Sequence, residues 1–294
     1  IYNAGIASAV TVNSNVFSGN STGALTTGIF AGICNIASTP VLTINSNTLA
    51  GNATSAVTGF YYPIYNTGPV KQTIKYNSNN IGTGISPAIN FTADNSVAQI
   101  FINNTKGSAT ADLSISNNNF YNVLYSTTGT GANTYISNTA ATLSQAINNN
   151  TFSNMVVNTT GSITFIANSV IVPATGTQNV NNNTISGIFT KQGAGGTVTL
   201  FNSAAASIAG SVINNNNNNF SNITVSGATV IAGWINTDAG NSTKTIQNNT
   251  FSNWSGGTGA VTAMSISLTG VNNSTTGNAI NTISGAGSIT GIST

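Results

Sequence analysis

The sequence predicts an all-β protein built as a parallel β-solenoid, with about nine coils of roughly 33 residues each. Three observations lead to this prediction. A short motif of apolar residues and asparagines recurs along the chain, residues that favour strands and bends replace those that favour helices, and charged residues make up only 3% of the 294 positions. A repeat of this length cannot bury its own apolar side chains, so neighbouring repeats must stack on one another.

The repeated motif reads apolar, Asn, any residue, Asn, any residue, apolar, and its last residue is taken as an anchor. Nine anchors occur, spaced 31 to 39 residues apart: Phe17, Leu49, Ile81, Phe120, Phe152, Ile185, Phe220, Phe251 and Ile283. Two residues before every anchor there is an asparagine: Asn15, Asn47, Asn79, Asn118, Asn150, Asn183, Asn218, Asn249 and Asn281. This fixed offset predicts a ladder of stacked amides inside the solenoid, each hydrogen-bonded to the next.

Bends are predicted on both sides of the anchor. The apolar residue that opens the motif lies five positions before the anchor, and side chains along a straight strand alternate with a period of two, so both face the interior only if the chain bends between them. The opening residues then form an interior column of Val12, Ile44, Tyr76, Ile115, Ile147, Val180 and Ile246. Gly or Asn, which enter left-handed backbone conformations at low cost, follow two residues after eight anchors, and Thr83 is the exception.

A second strand-like run follows these bends after a gap of variable length. It opens with a small residue, as in Gly23–Thr26, Ser55–Thr58, Gly161–Thr164, Gly259–Thr262 and Gly287–Thr290. The gap lengthens before the fourth anchor, which accounts for the spacing of 39 residues between Ile81 and Phe120. An insertion of this kind is expected in a loop on one side of the solenoid.

Some motif copies carry a resemblance to a known family. Ile147-Asn-Asn-Asn-Thr-Phe-Ser-Asn154, Val180-Asn-Asn-Asn-Thr-Ile-Ser-Gly187 and Ile246-Gln-Asn-Asn-Thr-Phe-Ser-Asn253 resemble the repeats of the pectate-lyase-like parallel β-helix superfamily. The resemblance covers essentially the whole chain and implies a right-handed β-helix. It implies little about function, because that superfamily includes lyases, hydrolases, phage tailspikes and adhesins. The low charge and the Asn, Thr and Gly content also resemble repetitive surface adhesins that Bacteroidota secrete by the type nine route.

The organisation of the chain follows from these repeats. Residues 1–294 are expected to form a single repeat array. Nothing at the N-terminus resembles a signal peptide, and both ends fall inside the repeat pattern, so the array is expected to be a segment of a longer protein. Open solenoid ends expose unpaired edges, and end-to-end self-association is therefore expected where no further coil covers them.

The composition excludes several kinds of partner. The chain has five lysines and three aspartates, and it contains no Arg, Glu or His. A net charge of +2 does not provide the basic surface that nucleic-acid binding requires. No run of apolar residues is as long as the roughly 18 residues that a membrane-spanning helix needs. Cys34 is the single cysteine, and no Cys/His set has the spacing of metal ligands, so neither a disulfide nor a bound metal or cofactor is expected.

Catalysis is not expected either. Glycosidases generally use a pair of carboxylates about 5 to 9.5 Å apart. Asp94 and Asp112 lie within or beside one repeat, and Asp238 is more than a hundred residues away. The resemblance implies that a lyase of the superfamily would need a basic catalytic residue and often an acidic calcium cluster, and no motif here matches them.

One aromatic cluster is a candidate for binding. Phe60, Tyr61, Tyr62 and Tyr65 lie close together beside Pro63, and exposed aromatic rings stack on sugars, although strand aromatics more often pack internally. The sequence is therefore interpreted as a non-catalytic, extracellular structural or adhesive rod of a secreted cell-surface protein. Its partners would be a surface or glycan ligand and the secretion machinery of the cell envelope. The alternative is a self-assembling filament subunit, and a polysaccharide-binding or polysaccharide-degrading β-helix is a third interpretation.

Overall fold

The computed structural model describes residues 1–24, 27–270 and 272–294, and it shows a right-handed parallel β-solenoid. Within these residues there is no helix. Each coil contributes one strand to each of three long sheets. Every strand pairs in parallel with its counterparts in the adjacent coils. The three sheets enclose one apolar core, as the sequence predicts.

The strands of the described residues stack coil by coil into four sheets, three long and one short. The first sheet has ten strands: Tyr2–Asn3, Ile29–Asn35, Phe60–Asn66, Gln99–Asn104, Asn133–Asn138, Ile163–Ala167, Thr197–Ser203, Val230–Asn236, Val261–Ile266 and Ile289–Ser293. The second has nine: Ala9–Asn13, Thr39–Asn45, Val70–Asn77, Asp112–Ser116, Ser144–Asn148, Thr177–Asn179, Val212–Asn216, Thr243–Gln247 and Asn273–Thr276. The third also has nine: Val16–Ser18, Thr48–Ala50, Asn80–Ile81, Asn119–Phe120, Thr151–Val157, Thr184–Lys191, Ile223–Val225, Thr250–Ser255 and Ala279–Ser284. A small fourth sheet follows the third in the first coils only: Ser21–Thr22, Asn52–Thr54, Ile89–Phe91 and Leu124–Tyr125.

The strand register confirms the predicted interior columns over most of their length. In the second sheet, Val12 pairs with Ile44, Ile44 with Tyr76, and Tyr76 with Ile115. Anchors pair in the third sheet in the same way, as Phe120 does with Phe152. These side chains are buried and form the core together with the inward residues of the first sheet.

Aromatic rings fill the centre of the core and contact one another along the solenoid axis. Phe120 and Phe152 stack with their centroids 5.0 Å apart, and Tyr135 lies against both rings. The contacts continue towards the C-terminus, where the rings of Phe201 and Trp234 stack at 4.4 Å. Ring contacts of this kind add to the free energy gained from burying apolar area, so stacking stabilises each coil against the next.

The bend inside each motif is made by one residue in the left-handed conformation, directly before the ladder asparagine. Its φ lies between 56° and 66° in all nine coils. The residues are Ser14, Ser46, Ser78, Asn117, Asn149, Asn182, Asn217, Asn248 and Gly277. Gly adopts this conformation at no steric cost and Asn at a low one, whereas it is costly for bulky β-branched residues such as Ile.

The second bend is also found, with some exceptions. Gly19, Gly51, Asn154, Gly187, Asn222 and Asn253 have positive φ, as predicted. Gly82 takes this conformation in place of the predicted position at Thr83, and Asn122 does not take it. Gly82 begins a loop over residues 82–88 that makes this coil longer than its neighbours, and Asn122 lies beside that loop in the next coil.

The prediction for the ninth coil was wrong by three residues. Phe251 pairs with Ile280 and not with Ile283, so Ile280 is the anchor, and Asn278 takes the ladder position assigned to Asn281. The cause is the left-handed bend. A ladder position at Asn281 would require Ile280 to adopt positive φ, which is costly for a β-branched residue, whereas the observed frame places Gly277 there with φ 66°. The bend predicted at Gly285 accordingly lies at Thr282.

The second strand-like runs were predicted correctly in three places. Strands of the first sheet begin within Gly161–Thr164, Gly259–Thr262 and Gly287–Thr290. The prediction of a strand at Ser55–Thr58 was wrong, because these residues form the corner before the strand Phe60–Asn66. The run Gly23–Thr26 lies partly outside the described residues.

Asn149 allows a test of the left-handed bend, because its side chain is exposed and its φ is 57°. Asn149→Val is expected to lower the free energy of unfolding by about 1–2 kcal/mol, the usual cost of positive φ for such a residue. Asn149→Gly is the control and should leave stability close to that of the parent chain. Urea denaturation followed by circular dichroism measures both, and equal stabilities of the two variants would contradict the assigned bend.

Candidate functional site

The predicted amide ladder runs through all nine coils, with Asn278 as its last member. Asn150 shows the geometry. Its Nδ2 donates to Oδ1 of Asn183 at 3.0 Å and to the carbonyl of Ile115 at 2.8 Å. Its Oδ1 accepts both the backbone N–H and Nδ2 of Asn118, each at 3.0 Å. Every polar atom of this buried amide is therefore satisfied, and the same pattern repeats in the inner coils.

A second internal ladder lies at the corner between the first and second sheets, and the sequence analysis missed it. Each Nδ2 donates to the Oδ1 of the next coil at 2.6 to 2.9 Å. Its members are Asn3, Asn35, Asn66, Asn104, Asn138 and Asn168. A signal was present, because each of these asparagines follows an isoleucine by two residues. The repeated motif defined above contains only the other asparagine, so its recurrence does not reveal this second row.

The second ladder ends where Ser203 takes the next ladder position. Asn168 turns its amide to Oε1 of Gln145 at 3.0 Å, and Asn236 turns its amide to Oδ1 of Asn215 at 2.7 Å. Asn215 occupies the interior column between Val180 and Ile246, so a polar side chain replaces an apolar one there. The ladder therefore gives way to an irregular polar network in the C-terminal coils.

Further asparagines form a third row on the outer face of the second sheet. Here a side-chain Oδ1 accepts the backbone N–H of the residue at the same place in the next coil. Asn13 accepts from Asn45 at 3.1 Å, and Asn45 accepts from Asn77 at 3.0 Å. The pattern recurs later, as Asn181 accepts from Asn216 at 2.8 Å. The motif thus places one amide inside and one amide outside at the same bend.

Two of the five lysines are fully buried, which the sequence analysis did not anticipate. The ammonium of Lys191 donates to the carbonyls of Thr159 and Gly195, both at 2.7 Å, and to the carbonyl of Gly193. The dipoles of these three backbone carbonyl groups therefore stabilise the positive charge of the ammonium. Burial lowers the pKa of Lys191 to about 8, because the charged form loses its hydration.

The second buried lysine belongs to an ion pair. Lys244 Nζ lies 3.6 Å from Oδ1 of Asp238 and donates to the carbonyls of Gly240 and Thr269 at 2.5 and 2.8 Å. Asp238 also accepts from the hydroxyl of Ser207 at 2.6 Å. Burial lowers the pKa of Lys244, and the charge of Asp238 opposes that shift. The cluster joins the loop after the strand Val230–Asn236 to the neighbouring coils.

The three aspartates have separate hydrogen-bonding partners. Asp94 accepts from the backbone N–H and the hydroxyl of Thr130, and Asp112 accepts from the hydroxyl of Ser144. Asp238 is buried in the ion pair with Lys244. Each carboxylate therefore has a local contact that ties one coil to another.

The predicted aromatic cluster is divided by the pleat of its strand. Phe60, Tyr62 and Tyr65 are half-buried on the outer face of the first sheet, with ring centroids 5.6 Å apart for Phe60 and Tyr62 and 5.0 Å apart for Tyr62 and Tyr65. Tyr61 points inward, is 2% exposed, and donates from its hydroxyl to the carbonyl of Ala88 at 3.1 Å. Tyr61 therefore belongs to the core and is inaccessible to a sugar.

Comparison with protein-family models, with curated proteins and with solved structures finds no match for this chain. In the described part of the chain, no group of three or more His, Cys, Asp or Glu side chains is placed to hold a metal ion. None of the described segments forms a helix that is long and apolar enough to cross a membrane.

The first ladder can be tested at Asn150, its central member. Asn150→Leu leaves the amide of Asn118 without its acceptor and the carbonyl of Ile115 without its donor, so the free energy of unfolding should fall by at least about 2–4 kcal/mol. Asn158→Leu, outside the ladder, is the control and should have little effect. Equal shifts of the midpoint in urea denaturation would contradict the structural role of the ladder.

The lowered pKa of Lys191 predicts that the free energy of unfolding rises with pH. Between about pH 8 and 10 the folded chain has released the Lys191 proton, whereas a lysine in the unfolded chain keeps its proton up to a pKa of about 10.4. The unfolded state then binds more protons, so the free energy of unfolding increases with pH in this window. At higher pH it should fall again, because burial raises the pKa of Tyr76 and Tyr135 well above the usual tyrosine value.

Lys191→Met should make this rise less steep, whatever its effect on the absolute stability, and the lowered pKa of Lys244 should leave part of the rise in place. Lys71→Met is the matched control, because Lys71 is exposed on a strand of the second sheet, and it should keep the rise. Urea denaturation at a series of pH values measures the slope. A slope in Lys191→Met as steep as that of the parent chain would contradict the assignment.

Proposed function

We propose that this chain is a non-catalytic, extracellular structural or adhesive rod, forming part of a secreted cell-surface protein. The observation that carries this proposal is the continuity of the first amide ladder from Asn15 to Asn278, because it couples every coil to its neighbours. A structure of this kind resists local opening, since each coil shares its buried hydrogen bonds with the coils on both sides. Rigidity over its whole length is the property that a spacer requires.

The dimensions also support a rod. Ten parallel strands stacked at the usual separation of about 4.8 Å give a length of about 43 Å. The long outer faces carry Thr, Ser and Asn side chains, and the exposed charges are few. A neutral, hydroxyl-rich and amide-rich surface is suited to the cell exterior and to contact with uncharged ligands. The composition resembles that of adhesins that Bacteroidota secrete by the type nine route, and we include secretion by this route in the proposal for that reason.

The rare charged side chains support a structural role over a catalytic one. Lys191, Lys244 and Asp238 are buried and bonded to loop backbone, so they hold corners of the solenoid together. Asp94 and Asp112 each bond to a hydroxyl of the following coil. Each carboxylate therefore links neighbouring coils at a different place in the solenoid. None of these contacts brings two carboxylates together as an acid–base pair.

A self-assembling filament subunit is the second candidate, and the direction of the ladder favours it. Each ladder amide donates to the amide of the next coil, so the first coil presents the acceptor Oδ1 of Asn15. The last coil presents the Nδ2 hydrogen of Asn278 that is not donated to the carbonyl of Ile246. Interior positions of the last coil are half-exposed, with Ile289 at 48% and Ile292 at 49%. The two ends are thus complementary in hydrogen bonding, and the last coil leaves apolar interior side chains open to a further coil of the same repeat.

Negative-stain electron microscopy of the purified chain over a range of concentrations distinguishes the two candidates. The rod proposal predicts discrete particles about 43 Å long at every concentration. Fibres one solenoid wide that lengthen with concentration would instead support the filament, and Ile289→Lys with Ile292→Lys should then abolish them. Compact particles without an elongated axis would contradict both candidates.

A further inference from the structure

A groove interrupts the regular surface of the solenoid. It lies at a long insertion between the third-sheet strand Asn80–Ile81 and the fourth-sheet strand Ile89–Phe91. The chain uses nine positions from Ile81 to Asn90, where the next coil uses four from Phe120 to Leu124. The five additional residues belong to a loop over residues 82–88, which lies beside the fourth sheet. Insertions in a repeat array collect on one face, and this face often binds.

The groove has a volume of about 240 Å³. The loop residues Thr83 to Pro87 form one wall, and Tyr121, Asn122, Leu124 and Asn154 form the other. Ile85, at the tip of the loop, is 99% exposed, and Leu124 is 41% exposed. The volume is just below the about 300–1,000 Å³ of pockets for drug-sized ligands, so it suits a single ring of a longer ligand.

The side-chain amides in this groove make fewer hydrogen bonds within the protein than the amides at equivalent positions in later coils. Asn122 and Asn154 occupy the corner position that Asn222 and Asn253 occupy in later coils. Asn253 donates to Asn222 at 2.7 Å, and Asn222 donates onward to the carbonyl of Gly187 at 3.0 Å. Asn122 instead uses only its Oδ1, which accepts the backbone N–H of Val156 at 2.9 Å. Within the described residues, its Nδ2 and the whole amide of Asn154 have no hydrogen-bonding partner.

Tyr121 provides an aromatic wall next to these amides. The position of a Cβ on Gly84 would be 3.9 Å from Cε1 of Tyr121, so the glycine leaves room beside the ring. None of the residues that line the groove is charged. Free amides, a hydroxyl-bearing loop and an accessible ring together match a ligand that offers hydroxyl groups and an apolar C–H face, and they offer nothing to neutralise an acidic one.

We propose that the groove between the loop over residues 82–88 and Tyr121 binds one ring of an uncharged oligosaccharide. This inference rests on the proposed adhesive role and gives it a ligand class and a place. Tyr121 stacks on the sugar ring, and Asn122 and Asn154 donate to its hydroxyls. Phe60, Tyr62 and Tyr65, on a different face, take no part in this binding.

Isothermal titration calorimetry on the full chain tests the proposal with three neutral hexasaccharides of glucose: cellohexaose, maltohexaose and laminarihexaose. Hexagalacturonate is the charged counterpart. At least one neutral hexasaccharide should bind, and the charged one should bind more weakly. Tyr121→Ala should weaken binding by about 3- to 10-fold, because it removes the ring. Gly84→Leu should weaken it to a similar degree, because its side chain covers the ring without removing it.

Tyr62→Ala is the matched control, since it removes a half-buried tyrosine from the outer face of the first sheet, and its affinity should equal that of the parent chain. The inference is overturned if no neutral hexasaccharide binds, if hexagalacturonate binds more tightly, or if Tyr62→Ala loses affinity while Tyr121→Ala keeps it. Electron microscopy of the same samples keeps the two proposals apart. Rods that bind no neutral sugar would overturn the groove and leave the rod, whereas particles without a long axis would overturn the rod itself.

Discussion

The hydrogen-bonded amide at the bend of each coil is the interaction on which the rest of the structure depends. A bend directs backbone N–H and C=O groups into an apolar interior, where each unpaired group costs about 1–3 kcal/mol. Asparagine has two donors and an acceptor that takes two hydrogen bonds, and Asn150 uses all of them on the coils before and after its own. One residue type therefore closes the bend and sets the register of neighbouring coils, and the apolar columns and the three sheets follow from that register.

The corners between sheets pose the same problem, and the chain solves it with different donors in different coils. At the entry to the first sheet, Asn95 donates to two carbonyls, Thr159 donates to the carbonyl of Gly131, and Lys191 donates to three. A lysine can take this place because its ammonium supplies three hydrogen bonds in a small volume. Charge is therefore used here for hydrogen-bonding capacity, which is consistent with a surface that carries so little of it.

Regular and irregular coils have different consequences for binding. Where the repeat is exact, corner amides pair with one another, as Asn222 and Asn253 do, and the surface offers rows of satisfied groups. Where the loop over residues 82–88 is inserted, the pairing is lost and Asn122 and Asn154 face a groove beside Tyr121. In the proposed rod, copies of the exact repeat would add length, and the proposed binding of a sugar would be confined to the coils beside the inserted loop.

The sequence by itself determined the parallel solenoid, the coil length, eight of the nine members of the first ladder and most of the interior columns, because all of these depend on one local pattern repeated at constant spacing. Only the tertiary structure decided the remainder. Asn278, and not Asn281, ends the ladder because it lies in register with Asn249 of the preceding coil, where Phe251 pairs with Ile280. Tyr61 is separated from Phe60 and Tyr62 by the pleat of the strand. The burial of Lys191 and Lys244 and the groove beside Tyr121 arise from contacts between residues of different coils, whose geometry no single stretch of sequence contains.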